Sequence, residues 1–320
     1  MPSDIDSLFD GWLDLAPREA VLVLFSVENT AQAIRLAARA EREGHTITPV
    51  AAGSPDTSYM GRVNEALDRL ERAGSRVTLV TLEHDLIEGL DELILACAGR
   101  TCPVSVSRVT GCRPEPFDGW ALPSRGIVAK TNRDLARRLN ALPEVDLETA
   151  GGARLRVSRP PAGDGWRSSP DDVLPPGGVF AVDPVLDGVF VADGAITVNR
   201  PIAFDVRLAA SPATLVVKDS RVVDLDCPDP RVAKLLSRAL AFGDCGVAGS
   251  VEVNANHGAG PFVPDNGLIN RRRPGFLLSL GHRPRIGTPR HSAGLHIDLA
   301  SAFGRVLTDD WVFDTRMSTR

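Results

Sequence analysis

Between residues 20 and 110 the spacing of apolar positions changes repeatedly, and each change marks an element. VLVLFS (21–26) is an unbroken apolar run, as a strand buried on both faces requires. NTAQAIRLAARAEREG then carries its apolar residues at helical spacing and stops at Gly44. TITPVAAG repeats the strand pattern, residues 60 to 73 read as a helix, VTLVTL as a strand, DLIEGLDELILACAG as a helix and PVSVSRV as a strand. Alternation of this kind predicts a doubly wound, mostly parallel sheet. Upstream, Ile5, Leu8, Phe9, Trp12 and Leu13 fall at helical spacing and predict a short amphipathic helix packed on that domain. A helix near 132 to 142 and a hairpin turning at Gly151-Gly152 are expected to close it.

Past residue 150 the alternation lapses. The stretch from Pro160 to Gly178 is dense in Pro, Gly, Ser and Asp and reads as a linker. It divides the chain into an N-terminal α/β domain, residues 1–165, and a C-terminal domain, residues 166–320. The second domain reads as strands separated by turns, with one clear helix in PRVAKLLSRALAF (230–242), which predicts an α+β arrangement.

With 320 residues, 43% of them hydrophobic and 24% charged, the chain can build two cores. A formal net charge of −5 argues against nucleic acid as a partner. No apolar run approaches the roughly 18 residues of a membrane span, and the acidic start MPSDIDSLFDGWLDL is unlike a signal peptide. A cytoplasmic protein without a membrane partner is expected. The cysteines (Cys97, Cys102, Cys112, Cys227, Cys245) are odd in number and scattered, so reduced thiols are expected. There is no Gly-X-Gly-X-X-Gly after a strand, no phosphate-binding loop, no nucleophile elbow and no His-Glu-X-X-His.

The candidate chemistry lies near the C-terminus. In SAGLHIDLA (292–300), His296 and Asp298 are two residues apart, so on an extended segment both leave the same face and could grip one cation. From Asn266 to Ile297 there is no Asp or Glu, whereas Arg271, Arg272, Arg273, Arg283, Arg285 and Arg290 are present. That charge repels a divalent cation and attracts carboxylate or phosphate. His282 and His291 flank the Arg-rich loop, His257 lies in the glycine-rich NANHGAG, and Glu252 shares a strand face with Ser250. His45 and His84 read as turn or capping residues, and Ser105, Ser107 and Thr110 as a hydroxyl-rich structural strand.

The segment LPPGGVFAVDPVLDGVFVADGAI (174–196) resembles the entry to the C-terminal domain of the aminopeptidase T family of metallopeptidases and of its relative, dihydroxypyridine dioxygenase. Their phrase Leu-Pro-X-Gly-Glu-Val-Phe leads into a Pro-containing strand and an Asp-Gly turn; Gly177, Val179, Phe180, Pro184, Gly188, Asp193 and Gly194 match. VVKDSRVVDLDCP resembles the Gly-Arg-Val hairpin, VEVNANHGAG the Gly-X-X-Asn segment, PGFLLSLG the Gly-Thr-X-His-Ile-X-Leu-Gly strand and LHID the terminal His-X-Asp ligands.

The resemblance implies an aminopeptidase T-like α+β domain whose metal site has degenerated. The ligand Glu falls near Ala248 or Ser250, with Glu252 close by; the acidic ligand falls on Asn270-Arg271-Arg272-Arg273; the strand histidine falls on Leu277 or Leu278. His296 and Asp298 remain, as vestigial ligands, and two are fewer than zinc or non-haem iron uses. The expectation is a non-enzymatic, cofactor-free peptide-binding protein similar to the degenerate homologues of crocagin-type ribosomal peptide pathways. Arg271, Arg272, Arg273, His282, His291, Glu252 and His257 would bind the ligand. Its partners would be a peptide substrate or precursor peptide and the biosynthetic enzymes acting on it, and a homodimer is left open. The alternative is an active aminopeptidase or iron-dependent ring-cleaving dioxygenase with one Zn or Fe ion, its shell completed by His282 or His291.

Overall fold

All seven residues of the first strand, β1 (Ala20–Ser26), are buried, as its unbroken apolar run demands. The computed structural model describes residues 8–13, 15–53, 58–73, 76–84, 87, 89–112, 125–159, 165–169, 173–174, 176–200, 202–241, 243–255, 261–265, 268–281 and 295–316. These form two units.

The first unit takes the described residues of Met1–Ile127 and Pro170–Pro176. After β1 come α1 (Thr30–Arg42), β2 (Thr46–Ala52), α2 (Tyr59–Arg72), β3 (Val77–Glu83), α3 (Leu90–Ala98) and β4 (Val104–Thr110). The sheet order is β2-β1-β3-β4, extended by the two-residue β8 (Val173–Leu174), and every pairing is parallel. The order reverses at β1, so right-handed crossovers place α1 and α2 on opposite faces. Ala20, Leu22 and Leu24 pack with Val63, Leu67 and Leu70 of α2 and with Leu90 and Leu93 of α3. Val21, Val23 and Phe25, equally buried, point the other way, where α1 brings Ala33, Leu36 and Ala40. The expected doubly wound parallel sheet is therefore present. The expected N-terminal helix is a single π turn, Phe9–Leu13, and α3 starts at Leu90 because Gly89 sits at φ +79.

The second unit takes the described residues of Val128–Ser169, Gly177–His257 and Pro261–Arg320. It follows α4 (Arg125–Asn140) with β5 (Glu144–Glu148), β6 (Arg154–Ser158), β7 (Trp166–Ser168), β9 (Val179–Val182), β10 (Val185–Ala192), β11 (Ile196–Val198), β12 (Ala213–Lys218) and β13 (Arg221–Asp226). Then come α5 (Pro230–Leu240), β14 (Ala248–Asn254), β15 (Gly275–Leu280), β16 (Ile297–Ala300), β17 (Arg305–Leu307) and β18 (Val312–Asp314). Two antiparallel sheets result, ordered β13-β12-β10-β6-β5-β17-β18 and β11-β16-β15-β14-β9-β7. Their inner faces share one core: Leu147, Leu155, Leu186, Phe190 and Leu215 from the first, Val251, Val253, Phe276, Leu278, Leu280 and Leu299 from the second. Val232, Leu236 and Ala239 of α5 join it. That helix starts where its sequence dictates, with Pro230 in the first turn and the Asp229 carboxylate accepting from Arg231 N at 2.8 Å.

Two expectations are revised. The stretch 160–178, read as a linker, contains the short strands β7 and β8. Residues 128–165, placed by sequence in the first domain, belong to the second unit: the β5–β6 hairpin turns at Gly151 and Gly152 (φ +69 and +78) and pairs on its two sides with β17 and β10. Strand alternation locates a hairpin but carries no information on which sheet it joins.

Candidate functional site

The outer face of the six-stranded sheet is polar and buried. In antiparallel pairing, directly opposed residues share a face. Thr197, Asp298 and Ser279 are opposed across β11, β16 and β15, and Ser279 is opposed to Ser250 on β14. The next row runs Ala300, Leu277, Glu252, Phe180 and Arg167. Ser250, Glu252, Ser279, His296 and Asp298 are all buried. The register also separates two leucines that sequence reasoning left as alternatives: Leu277 lies on this face opposite Glu252, whereas Leu278 lies in the core opposite Val251.

His296 and Asp298 do share a face and meet, Nε2 to Oδ1 at 3.1 Å. A carboxylate only accepts, so the His296 Nε2–H donates, while the buried Nδ1 has no hydrogen-bond partner among the described residues. The same Oδ1 accepts the Ser279 hydroxyl at 2.5 Å. Asp298 Oδ2 faces Arg271 Nε at 2.9 Å. That N–H is not aimed along the line, so this is an ion pair rather than a directed hydrogen bond.

Glu252 has its own set of donors. Its Oε1 accepts Gly178 N at 3.1 Å and Ser169 Oγ at 3.4 Å, and Arg272 Nη1 stands 3.6 Å away. A Cβ at Gly178 would drive into the Val253 carbonyl oxygen and lie 2.8 Å from Asn254 Oδ1; one at Gly177 would overlap Arg272 and Ser169. Asn132 of α4 fixes this segment by donating to Gly177 O at 2.9 Å. Gly178 occupies the place of the Glu in the phrase Leu-Pro-X-Gly-Glu-Val-Phe, and here the carboxylate beside that backbone comes from Glu252 on β14.

Both arginines come from one 3₁₀ turn, Leu268–Arg272. Successive residues of such a turn point roughly 120° apart, so neighbours can reach carboxylates on different strands. The turn is anchored through Asn254 Nδ2 to Arg271 O at 3.2 Å and through buried Asn270, whose amide exchanges bonds with Val263 N and O at 2.9 and 3.0 Å. Arg273, next in sequence, is buried, and that burial pushes its guanidinium from the ordinary 12.5 down to about 10.

The structure thus brings Glu252, Arg271, Arg272, His296 and Asp298 onto one face, with Arg273 buried beside the turn. His257, His282 and His291 lie outside the described residues. Sequence reasoning missed Ser279, Ser169, Gly178 and Asn132. Ser279 carried a signal, as the one polar residue in GFLLSL, where a strand of apolar neighbours has a hydroxyl at the register of Asp298.

His282 and His291, which would complete the metal shell of the alternative reading, lie outside the described residues, and the donors within them are already committed. Both oxygens of Asp298 are engaged, His296 spends Nε2 on the same carboxylate, and arginines occupy the approach to each acid. Among the described residues no group of three or more His, Cys, Asp or Glu could hold a metal ion. Nor, among them, is any helix long and apolar enough to cross a membrane.

No family model and no curated protein matches the chain. Among solved structures it is similar to 2,5-dihydroxypyridine dioxygenase from Pseudomonas putida KT2440, with a TM-score of 0.62 at 13% identity, over 99% of this chain and 96% of that one. It is also similar to AmpT from Thermus thermophilus, with a TM-score of 0.57 at 14% identity, over 97% and 96%. At these identities the likeness establishes a shared fold along nearly the whole chain.

Proposed function

We propose that this chain is a non-catalytic peptide-binding protein on the scaffold it shares with those two enzymes, accessory to enzymes that modify a peptide natural product. One observation carries the reading: the two buried carboxylates of the polar face, Glu252 and Asp298, are each within ion-pair distance of an arginine from a single turn. An acid held this way is a poor base or metal ligand, because its lone pairs and charge are already committed. The arginines remain 24% and 20% exposed, and a guanidinium carries five N–H donors in a planar fork. A peptide C-terminal carboxylate or acidic side chain suits donors of that geometry.

The test starts with protein purified without chelator, assayed for metal and titrated by calorimetry with synthetic acidic peptides that carry a free C-terminal carboxylate. The reading expects substoichiometric metal and, in Arg271→Ala or Arg272→Ala protein first shown to be folded at the assay temperature, binding that weakens about ten- to a hundredfold, the equivalent of roughly 1.5–3 kcal/mol for a charge-assisted contact. Stoichiometric zinc with release of an amino acid from short peptides would replace it with the aminopeptidase reading. Stoichiometric iron with oxygen consumption would replace it with the dioxygenase reading.

A further inference from the structure

We infer that Arg271 and Arg272 are the resident counter-cations of the polar sheet face, doing for Asp298 and Glu252 the electrostatic work of a bound divalent ion. The inference is independent of peptide binding, since it concerns what the face needs in order to exist. Asp298 and Glu252 are 1% and 3% exposed and sit on strands separated only by β15. Two carboxylates buried on one face repel one another, and each is costly to desolvate unless a positive group lies against it. Hydrogen bonds from Ser279, His296, Ser169 and Gly178 orient the carboxylates without cancelling the whole charge. The guanidiniums do that, Arg271 at 2.9 Å from Asp298 and Arg272 at 3.6 Å from Glu252. The backbone is committed to the arrangement. Asn254, on the same strand as Glu252, holds the Arg271 carbonyl, and the absence of a Cβ at Gly177 makes room for the Arg272 head group.

Among the described residues, each buried carboxylate is thus matched by a guanidinium. Deleting Arg271 removes the guanidinium that stands against Asp298 Oδ2, and this should turn an indifferent site into one that recruits a divalent ion beside Asp298, His296 and Ser279. The experiment compares the parent, Arg271→Ala, Arg271→Lys, and Arg271→Ala combined with Asp298→Asn, by thermal melting with EDTA and with Zn²⁺. The parent should melt identically in both. Arg271→Ala should melt roughly 5–15 °C lower in EDTA, by the penalty for stranding a buried charge, and should regain part of that loss as Zn²⁺ rises. Arg271→Lys should stay close to the parent.

In the double variant the Zn²⁺ response should vanish, and the melting temperature in EDTA should rise above that of Arg271→Ala because the stranded charge is gone. If Arg271→Ala does not accumulate as folded protein, recovery of folded protein in the double variant decides the question in the same direction. Zn²⁺ stabilisation of the parent that is lost in Asp298→Asn would overturn the inference. So would an Arg271→Ala protein as stable as the parent, or a double variant no more stable or soluble than Arg271→Ala.

Discussion

Gly178, the residue before β9, is held against Glu252 of β14, its backbone N–H donating to the carboxylate at 3.1 Å. The contact depends on a missing side chain, since the space a Cβ would need is filled by Val253 O and Asn254 Oδ1. Gly178→Ala should therefore destabilise the second unit by about 2 kcal/mol or more, through overpacking and loss of the carboxylate's N–H. Denaturant melts would show it as a lower midpoint at unchanged slope; an unchanged midpoint would mean the strand relaxes freely.

The opposite faces assigned to Leu277 and Leu278 predict unequal tolerance of a polar group. Leu278→Asn should cost several kcal/mol, because an amide would enter the sandwich core among Val251 and Leu299. Leu277→Asn, opposite Glu252 on the polar face, should cost less by at least about 1 kcal/mol. Equal losses would show that the strand register is misassigned.

Cys112 is fully buried, and burial with the nearby Glu83 charge pushes its thiol up to about 12. At pH 8 the thiolate fraction is then on the order of 1 in 10⁴, so native Cys112 should resist alkylation and react promptly after denaturation. The sign of the stability effect follows. An acid whose folded pKa lies above its ordinary value, here 9.0, adds stability that is complete below about 9 and is lost as pH rises towards 12. Mass mapping of alkylated peptides and alkaline melts check the two halves; fast native labelling at Cys112 would contradict both.

Ser279 should matter through Asp298 alone. Ser279→Ala removes the 2.5 Å donor and leaves His296 and Arg271 in place, so about 1–2 kcal/mol of stability should be lost. The loss should largely disappear in Ser279→Ala combined with Asp298→Asn, as a double-mutant cycle would measure.

Much of this architecture was legible from residues alone, for an identifiable reason. The runs at 21–26 and 77–82 are long, apolar and bounded by helical periods, so burial on both faces wrote the parallel sheet into the sequence. The pair His296–Asp298 was legible because spacing two fixes a shared face in any strand. What escaped was set by register. Whether Leu277 or Leu278 faces Glu252, and that the 144–158 hairpin joins β17, depends on pairings between segments more than a hundred residues apart or on strand alignment. The arginine block was legible as charge. Its inward commitment to Asp298 and Glu252 was not, because sequence shows no distance between side chains.

The pairing of β5 with β17 sets a clock on the ribosome. Glu148 meets Arg305 in register, and their ion pair spans 157 positions of chain. At roughly 5–20 residues per second, the outer edge of β5 waits about 8–30 s for its partner to be synthesised, while β6 already covers the other side. During that interval a strand edge with unpaired amides and carbonyls is open to any extended segment nearby. A nascent chain halted before residue 305 would keep it open indefinitely, so the vulnerability of this protein to aggregation is greatest late in its own translation.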